Sequence, residues 1–255
     1  MTVEETKRSV AEFWETEACG ERYGSAQEQI RYQLEPEIER FADFPSGRGR
    51  DVLEVGIGMG ADLVRWARTG ARMTGVDLTE RAVAITADRL RAEGLRAGLG
   101  VADAEDLPFA DASFDIVWSW GVLHHTPRSE RALREAARVL RPGGRYAVMV
   151  YHRHSWLAAA AWVRFGLLRF RPAMTLGRAV AHIESTGTRA YTRPELARCL
   201  GDLLTELRIT PVLTHWDRRV APGIARLTGD RAGWFLLVEG VRRVASPDNG
   251  TSAAV

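Results

Sequence analysis

Residues 51–63 of this 255-residue chain read DVLEVGIGMGADL. The run at 52–55 has the length and the β-branched residues of a buried parallel strand. Three glycines at alternate positions follow it, and an apolar pattern with helical spacing begins at Leu63. A strand, a glycine-rich turn and a helix in this order place the helix N-terminus against a nucleotide, because glycine permits a sharp turn and a close approach of the ligand.

The glycine turn fits two kinds of nucleotide site. Gly56, Gly58 and Ala61 satisfy the fingerprint of dinucleotide-binding proteins, and Asp77 lies at the right distance for a ribose contact. Residues 54–60 also resemble the acidic, alternate-glycine loop of class I S-adenosylmethionine (SAM) methyltransferases. Glu54 favours this second site, because a carboxylate has no use beside a pyrophosphate but suits the ammonium and sulfonium groups of SAM. A glycine-rich turn that binds no ligand is the remaining alternative.

The composition suits one large α/β domain, or one such domain with appendages, since 45% of the residues are hydrophobic. Cys19 and Cys199 form neither a disulfide framework nor a metal pattern, which favours a reducing compartment, and we expect a cytoplasmic protein. The first residues lack the apolar run of a signal peptide, and no apolar run reaches the ~18 residues of a transmembrane helix. The basic excess lies in residues 151–255, but its arginines are dispersed, so nucleic acid is not an expected partner.

From residue 51 the patterns of strand and helix alternate, which predicts a parallel sheet covered by helices on both faces. Two helical patterns, 3–20 and 26–43, precede the sheet, and Pro36 is expected to split the second. Thr79 is a predicted N-cap, and Thr192 forms a predicted capping box with Glu195. After the first strand, the expected strands are 71–76, 97–101, 114–118, 145–151, 203–213 and 234–241, and the expected helices include 80–93 and 129–140.

These motifs, in this order, resemble class I SAM-dependent methyltransferases, specifically the bacterial type 11 group that includes quinone-biosynthesis enzymes. The resemblance is carried by residues 54–60, Asp77, 103–109, 114–127 and 140–144. It implies a Rossmann-like α/β fold with a seven-stranded, mostly parallel sheet in the order 3-2-1-4-5-7-6 and an antiparallel last strand. It also implies SAM as the cofactor and S-adenosyl-L-homocysteine as the product, with one carboxylate on the ribose and another on the adenine amino group. The implied cofactor-binding residues are Glu54, Gly56, Gly58, Gly60, Asp77 (ribose), Leu78, Asp103 (adenine), Ala104 and Trp120.

Several motifs of other methyltransferases are absent from the sequence. No Asn/Asp-Pro-Pro-Tyr follows the fourth strand, which argues against an enzyme that methylates amino groups of DNA. Neither cysteine follows a proline there, as the nucleophile of a cytosine-C5 enzyme would. No cluster of carboxylates suggests a divalent ion, so no metal is expected.

Candidate catalytic residues follow the fourth and fifth strands, where an acceptor would sit. His124 and His125 follow the fourth strand, and Tyr151 and His152 end the fifth. Histidine titrates near neutral pH and suits the removal of a proton from a phenol, an alcohol or an ammonium. We rank His125 and His152 first; the alternative for each is a hydrogen-bonded loop residue.

The flanking segments are expected to select the acceptor. Residues 1–45 are predicted to form an N-terminal helical cap, 46–245 the SAM-binding domain, and 246–255 a disordered tail. The apolar insertion at 155–185 is interpreted as a helical lid over the acceptor, with a membrane-surface helix or a dimer face as alternatives. The predicted acceptor-binding residues are Tyr23, Trp156, Arg189 and Tyr191, and Arg31 and Tyr32 of the cap are within possible reach of the site.

The expected function is SAM-dependent methyl transfer to a small or medium-sized, partly apolar acceptor in biosynthetic or secondary metabolism, with oxygen as the favoured acceptor atom. Transfer to nitrogen, to carbon or to a peptide terminus is the runner-up. Two hypotheses of a different functional class are a non-catalytic SAM-binding regulatory protein and a nicotinamide dehydrogenase. Glu54 and Asp103 disfavour the dehydrogenase. The expected partner is therefore a small molecule or a peptide, and the oligomeric state, including a dimer, is left open.

Overall fold

The computed structural model describes residues 2–16, 27–171, 173–185 and 187–244. The predictions for Tyr23 and for the tail at 246–255 lie outside these residues, as does Cys19. Within the described ranges, no helix is long and apolar enough to cross a membrane.

Seven strands form one sheet in the order β3-β2-β1-β4-β5-β7-β6, which confirms the predicted fold class and strand order. Strands β1 to β5 are parallel, and β7 runs antiparallel to both of its neighbours. The strand order reverses between β1 and β4, and ligands of open α/β sheets bind at such a point, beyond the carboxyl ends of the strands. The strands are Asp51–Val55 (β1), Arg72–Asp77 (β2), Gly98–Val101 (β3), Phe114–Trp120 (β4), Leu140–Tyr151 (β5), Leu204–Val212 (β6) and Phe235–Arg242 (β7).

The helices flank the sheet and precede it. Their bounds are Val3–Thr16 (α1), Gln27–Leu34 (α2), Glu37–Ala42 (α3), Ala61–Arg68 (α4), Glu80–Ala92 (α5), Ser129–Arg138 (α6), Trp156–Phe165 (α7), Leu176–Val180 (α8), Arg193–Leu200 (α9), His215–Val220 (α10) and Pro222–Thr228 (α11). As predicted, Pro36 separates α2 from α3, and Thr79 caps α5 by accepting a hydrogen bond from the Ala82 N–H. Thr192 and Glu195 form the predicted capping box at the start of α9.

Two segments differ from the prediction. Residues 214–233, which separate the last two predicted strands, contain the short helices α10 and α11. Strand β5 begins at Leu140 rather than Arg145, because the Pro142-Gly143-Gly144 segment continues the strand across an irregularity in its pairing with β4.

The core occupies both faces of the sheet, because successive strand residues point to opposite sides. Leu53 and Val117 lie on the face covered by α6 and α9, and Ile116 lies on the other. That second face also holds Ile38 of α3 and Phe44, which pack in the same cluster as Trp66 and Trp118. The chain that precedes β1 therefore contributes to the core and, as described below, to the candidate site.

Candidate functional site

A cavity lies beyond the carboxyl ends of β1, β2 and β4, at the point where the strand order reverses. Helix α1 covers one side of it through Val10 and Trp14. Gly60 is not in the wall; it caps the N-terminus of α4 directly behind it. Most of the predicted cofactor residues do line the cavity, namely Glu54, Gly56, Gly58, Asp77, Leu78, Asp103, Ala104 and Trp120.

The glycines of the turn are required by its backbone and by its neighbours. Gly56 has a φ of 84°, and a β-carbon there would collide with the side chain of Val122. Gly60 has a φ of 72°, and a β-carbon would lie 2.8 Å from the side chain of Thr86 on α5. Any other residue would be strained at these dihedral angles as well as overpacked.

Glu54 supplies a carboxylate that fits a cationic ligand. It is 4% exposed at the end of β1, and its Oε2 has no hydrogen-bond partner within the described chain. Burial and the nearby Asp62 raise the pKa of Glu54 well above its ordinary value, and Arg31 partly opposes this. A buried carboxylate without a partner is unfavourable. The ammonium group of SAM would supply the missing partner, so the residues present fit this cofactor.

Asp62 holds the N-terminal segment against the cavity. Its carboxylate accepts hydrogen bonds from Arg31 Nε (3.2 Å) and Nη2 (2.7 Å), from the Tyr32 hydroxyl (2.9 Å) and from Trp118 Nε1 (3.1 Å). Arg31 also lines the cavity, where a guanidinium group can bind a carboxylate of a ligand. The buried Asp62 therefore fixes Arg31 beside the glycine turn.

Asp77 and Asp103 stand at the ends of β2 and β3. Asp77 accepts hydrogen bonds from the Gly58 N–H (3.0 Å) and from the N–H and hydroxyl of Thr79 (3.1 and 3.0 Å), so it connects the turn after β1 to the cap of α5. Asp103 accepts from the Glu105 N–H (2.8 Å) and forms an ion pair with Lys7 of α1. Both carboxylates lie in the cavity wall.

Lys7 is the only lysine of the chain, and it fastens α1 over the cavity. It contacts Asp103 and also Glu105 Oε2 at 2.8 Å. Burial alone would lower the pKa of Lys7, but the hydrogen bonds to these two carboxylates raise it above its ordinary value. One turn further along, Val10 is buried, and the ring of Trp14 contacts His125 with 5.9 Å between ring centroids.

Of the four predicted catalytic residues, His125 lines the cavity. Its Nδ1 lies 2.7 Å from Thr188 Oγ1 and 3.0 Å from Ser185 Oγ. The Thr188 hydroxyl donates to the Ser185 carbonyl at 2.7 Å, so Thr188 Oγ1 is left to accept a proton from Nδ1. This pattern places the proton of a neutral imidazole on Nδ1 and leaves Nε2 as the basic nitrogen. No hydrogen bond to Nε2 comes from the described residues.

Burial keeps His125 neutral. The loss of solvation lowers its pKa from 6.5 to about 4, so the ring is uncharged at neutral pH. A neutral imidazole whose Nδ1–H is held in place can accept a proton at Nε2.

The other residues around His125 form a packed second layer outside the cavity wall. His124 is fully buried, neither of its ring nitrogens has a partner within the described chain, and burial together with His125 lowers its pKa. The ring of Tyr151 stacks on Trp234 (4.3 Å between centroids) and packs at a tilt against His124 (4.0 Å). Glu184 hydrogen-bonds to Tyr151, and burial raises the pKa of its carboxyl group to about 7.

Four further candidates lie away from the cavity wall. His152 is buried, its Nδ1–H donates to the Gly233 carbonyl at 2.9 Å and it does not line the cavity, so its role as a base stays a prediction. The Tyr191 hydroxyl bonds to Ser129 Oγ at 2.6 Å inside the core. Arg189 pairs with Glu130 at 2.7 Å on the surface, and Trp156 donates to Thr228 Oγ1 at 3.0 Å. All of these positions have structural partners instead of facing the cavity.

The insertion at 155–185 approaches the site only at its end, where Ser185 contacts His125. None of the described residues of the insertion is in the cavity wall, whereas α1 contributes Val10 and Trp14. In the structure, α1 therefore covers this cavity. A lid role for the insertion stays a prediction.

Known proteins are similar to this chain in sequence and in fold. Positions 53–148 match the family model described as a methyltransferase domain. This part of the chain belongs to the methyltransferase domain family. The match confirms the predicted family and, with it, SAM as the cofactor.

Curated relatives match about half of the chain or less. The protein is 37% identical to methyltransferase GfsG of Streptomyces halstedii over 139 residues, which is 53% of this chain and 48% of that protein. It is 41% identical to the 27-O-demethylrifamycin SV methyltransferase of Amycolatopsis mediterranei over 107 residues, 41% of this chain and 39% of that one. The chain thus spans about half the length of these relatives, or less.

A solved structure matches more of the fold at lower identity. An S-adenosylmethionine-dependent methyltransferase from Mesorhizobium loti superposes with a TM-score of 0.56 and 21% identity. The superposition covers 80% of this chain and 96% of that one. At this identity the likeness shows the fold alone, and the residues outside 53–148 must be interpreted from their own contacts.

Proposed function

We propose that this protein is a SAM-dependent methyltransferase that methylates a hydroxyl group of a small or medium-sized, partly apolar acceptor, with His125 as the general base. The observation that carries the proposal is the hydrogen-bonded His125 in the wall of the SAM cavity. SAM supplies, when bound, a sulfonium methyl group that an oxygen nucleophile can displace. The protein must orient the acceptor and remove its proton.

The roles of the residues follow from their contacts. Glu54 binds the ammonium and Arg31 the carboxylate of the methionine part, while Asp77 binds the ribose and Asp103 the adenine amino group. His125 accepts the acceptor's hydroxyl proton at Nε2, while Thr188 holds Nδ1–H and so fixes the ring. The imidazolium ion that forms later loses this proton to solvent.

The lining of the cavity supports a partly apolar acceptor. The wall includes Trp14, whose ring contacts His125, and also Trp120 and Val122. These groups exclude water and offer apolar contact, whereas a strongly charged acceptor would lose solvation there. The name of the relative that acts on a 27-O-demethyl compound supports oxygen as the acceptor atom.

The proposal is tested with methyl-labelled SAM and a panel of apolar compounds that carry phenol, alcohol, amine or activated-carbon acceptors. We expect labelled O-methyl products, and a loss of turnover of about 10²- to 10⁴-fold in His125→Ala, which is the usual contribution of a general base. His154→Ala is the matched control, because His154 is an exposed histidine of the loop after β5.

Each other outcome would contradict a part of the proposal. Labelling at nitrogen or carbon alone would refute oxygen as the acceptor atom. Full turnover by His125→Ala would refute the base and favour catalysis by proximity. Binding of SAM with no transfer to any acceptor class would favour a regulatory SAM-binding protein.

A further inference from the structure

The most exposed apolar side chains of the insertion are gathered at one turn. Helix α7 ends at Phe165, and the chain then makes a short 3-10 turn, Leu167–Arg169, before Phe170. Leu167, Leu168 and Phe170 are 52%, 69% and 94% exposed. We call residues 163–171 the insertion tip. Its Leu168 and Phe170 do not line the SAM cavity, so acceptor binding does not explain them.

The insertion tip is a defined turn. The buried Gly166 closes α7 with a hydrogen bond to the Trp162 carbonyl (2.8 Å), and the Arg171 N–H returns to the Gly166 carbonyl (2.8 Å). Trp162 Nε1 donates to the Met174 carbonyl at 2.7 Å, which joins both sides of the turn. Phe170 has a φ of 53°, a backbone conformation that bulky residues seldom adopt. The turn therefore holds Phe170 outward although its side chain gains almost no burial.

The charge of this segment is of one sign. Between Ser155 and Ile183 the sequence has no aspartate or glutamate and four arginines, at 164, 169, 171 and 178. The guanidinium groups of Arg164 and Arg169 lie over the ring of Phe165, 5.4 and 5.6 Å from its centroid. Exposed apolar and cationic groups are therefore interleaved within one turn.

We propose that the insertion tip docks on an anionic phospholipid bilayer, with Leu168 and Phe170 entering the boundary of the acyl chains and the arginines contacting the head groups. Leucine and phenylalanine side chains are apolar and suit the acyl boundary, whereas arginine joins an apolar stem to a charged end that stays among the head groups. Anionic lipid attracts the four arginines, and the segment has no carboxylate to repel it.

The size of the exposed surface favours a bilayer over a protein partner. A stable protein interface buries roughly 800 Å² on each partner. The insertion tip offers four exposed apolar side chains, those of Val163, Leu167, Leu168 and Phe170, which is a small contact. A bilayer requires only that a few side chains enter it, with charge attraction adding to the binding. Docking by one turn is expected to be reversible and sensitive to salt.

The test is co-sedimentation of the full chain with vesicles of phosphatidylcholine alone and with vesicles in which about one third of the lipid is phosphatidylglycerol. We expect binding to the anionic vesicles, and release at about 0.5 M salt, which screens the attraction. The double variant Leu168→Ser/Phe170→Ser should reduce the bound fraction at least about tenfold. Arg169→Gln/Arg171→Gln should weaken binding by about fivefold for each arginine.

Two controls carry matched changes elsewhere. Leu227→Ser alters a leucine that is 88% exposed on α11, and Arg208→Gln alters an arginine of β6 whose side chain is 71% exposed. Both should bind vesicles like the wild type, and all variants should keep the SAM affinity of the wild type, which shows that they are folded.

Three results would overturn the proposal. The first is no binding to the anionic vesicles, and the second is equal binding to both kinds of vesicle. The third is a concentration-dependent dimer that Phe170→Ser abolishes, because it would assign the insertion tip to a second copy of the chain. None of these results bears on methyl transfer, so the two proposals fail separately.

Discussion

The two sides of the cavity are built in different ways. On one side, Glu54, Asp77 and Asp103 occupy the ends of adjacent parallel strands, so the sheet itself sets their spacing. On the other side, α1 lines the cavity and the segment around Thr188 holds His125. Both come from distant parts of the sequence and are held by side-chain contacts. We call these the strand-end side and the covering side. In the proposed function, the strand-end side binds the cofactor, and the covering side binds the acceptor and controls the base that removes its proton.

The largest effect is expected on the strand-end side. Gly56→Ala would force a left-handed backbone onto alanine and drive its β-carbon into Val122. We expect SAM affinity to fall by roughly 100-fold or more, measured by calorimetry. Gly94→Ala is the control, because Gly94 also has a positive φ (65°) but no atom near the position of a β-carbon. Equal SAM affinities in the two variants would contradict the claim that position 56 must be glycine to avoid a collision with Val122.

On the covering side, Thr188→Val tests the orientation of His125. Valine keeps the size of the side chain but removes the oxygen that accepts from Nδ1. Turnover should fall about tenfold, with SAM affinity unchanged, since a positioning residue acts through the base. Thr188→Ser restores the hydroxyl and should recover most of the turnover. If serine failed to rescue it, packing rather than the hydrogen bond would be the role of Thr188.

A smaller effect concerns stability and Glu184. Because the pKa of this carboxyl is raised from 4.5 to about 7 in the folded protein, its contribution to stability is fully present below about pH 4.5. That contribution is lost as the pH rises through about 7. We therefore expect Glu184→Gln to be more stable than the wild type at pH 8, on the order of 1–2 kcal/mol, and the difference to shrink at pH 5. Urea unfolding at the two pH values measures it, and a pH-independent difference would refute the titration.

The smallest effect on SAM affinity is expected from removing the ion pair between Lys7 of α1 and Asp103. Lys7→Met removes the ion pair that Asp103 makes in the structure, so the adenine amino group would no longer compete with it. SAM should then bind up to about fivefold more tightly, the scale of one partly exposed ion pair. Arg8→Met, an exposed change on the same helix, should leave the affinity unchanged. Weaker binding by Lys7→Met would show instead that Lys7 contributes to the site.

The strand-end side could be predicted from the sequence because local patterns determine it. The acidic strand, the alternate glycines and the carboxylates at strand ends each lie within a few residues of a recognisable element. Once the strands pair in a parallel sheet, their carboxyl ends lie at one edge, so these residues come together without any other long-range contact. Asp62 was missed although it directly follows the glycine turn, because its partners Arg31 and Trp118 are 31 and 56 positions away.

The covering side could be predicted only in part. His152 and Tyr191 follow strand and loop positions that suit an active site, but their side chains face Gly233 and Ser129 instead. Nothing in the local sequence indicates which way such a side chain points. The contact of Lys7 with Asp103 spans 96 positions, and the contact of Thr188 with His125 spans 63. Long-range contacts of this kind depend on the packing of whole segments.

The most direct test of the division between the two sides is the SAM affinity of Asp77→Ala compared with that of His125→Ala. Asp77 belongs to the strand-end side, so its loss should weaken SAM binding by about 10- to 100-fold, the scale of hydrogen bonds to a charged group. His125 follows β4 but is held by Thr188 of the covering side and acts on the acceptor, so its loss should leave the dissociation constant within about twofold of the wild type while turnover collapses. If calorimetry showed that His125→Ala weakens SAM binding as much as Asp77→Ala does, the assignment of cofactor and acceptor to separate sides would be wrong.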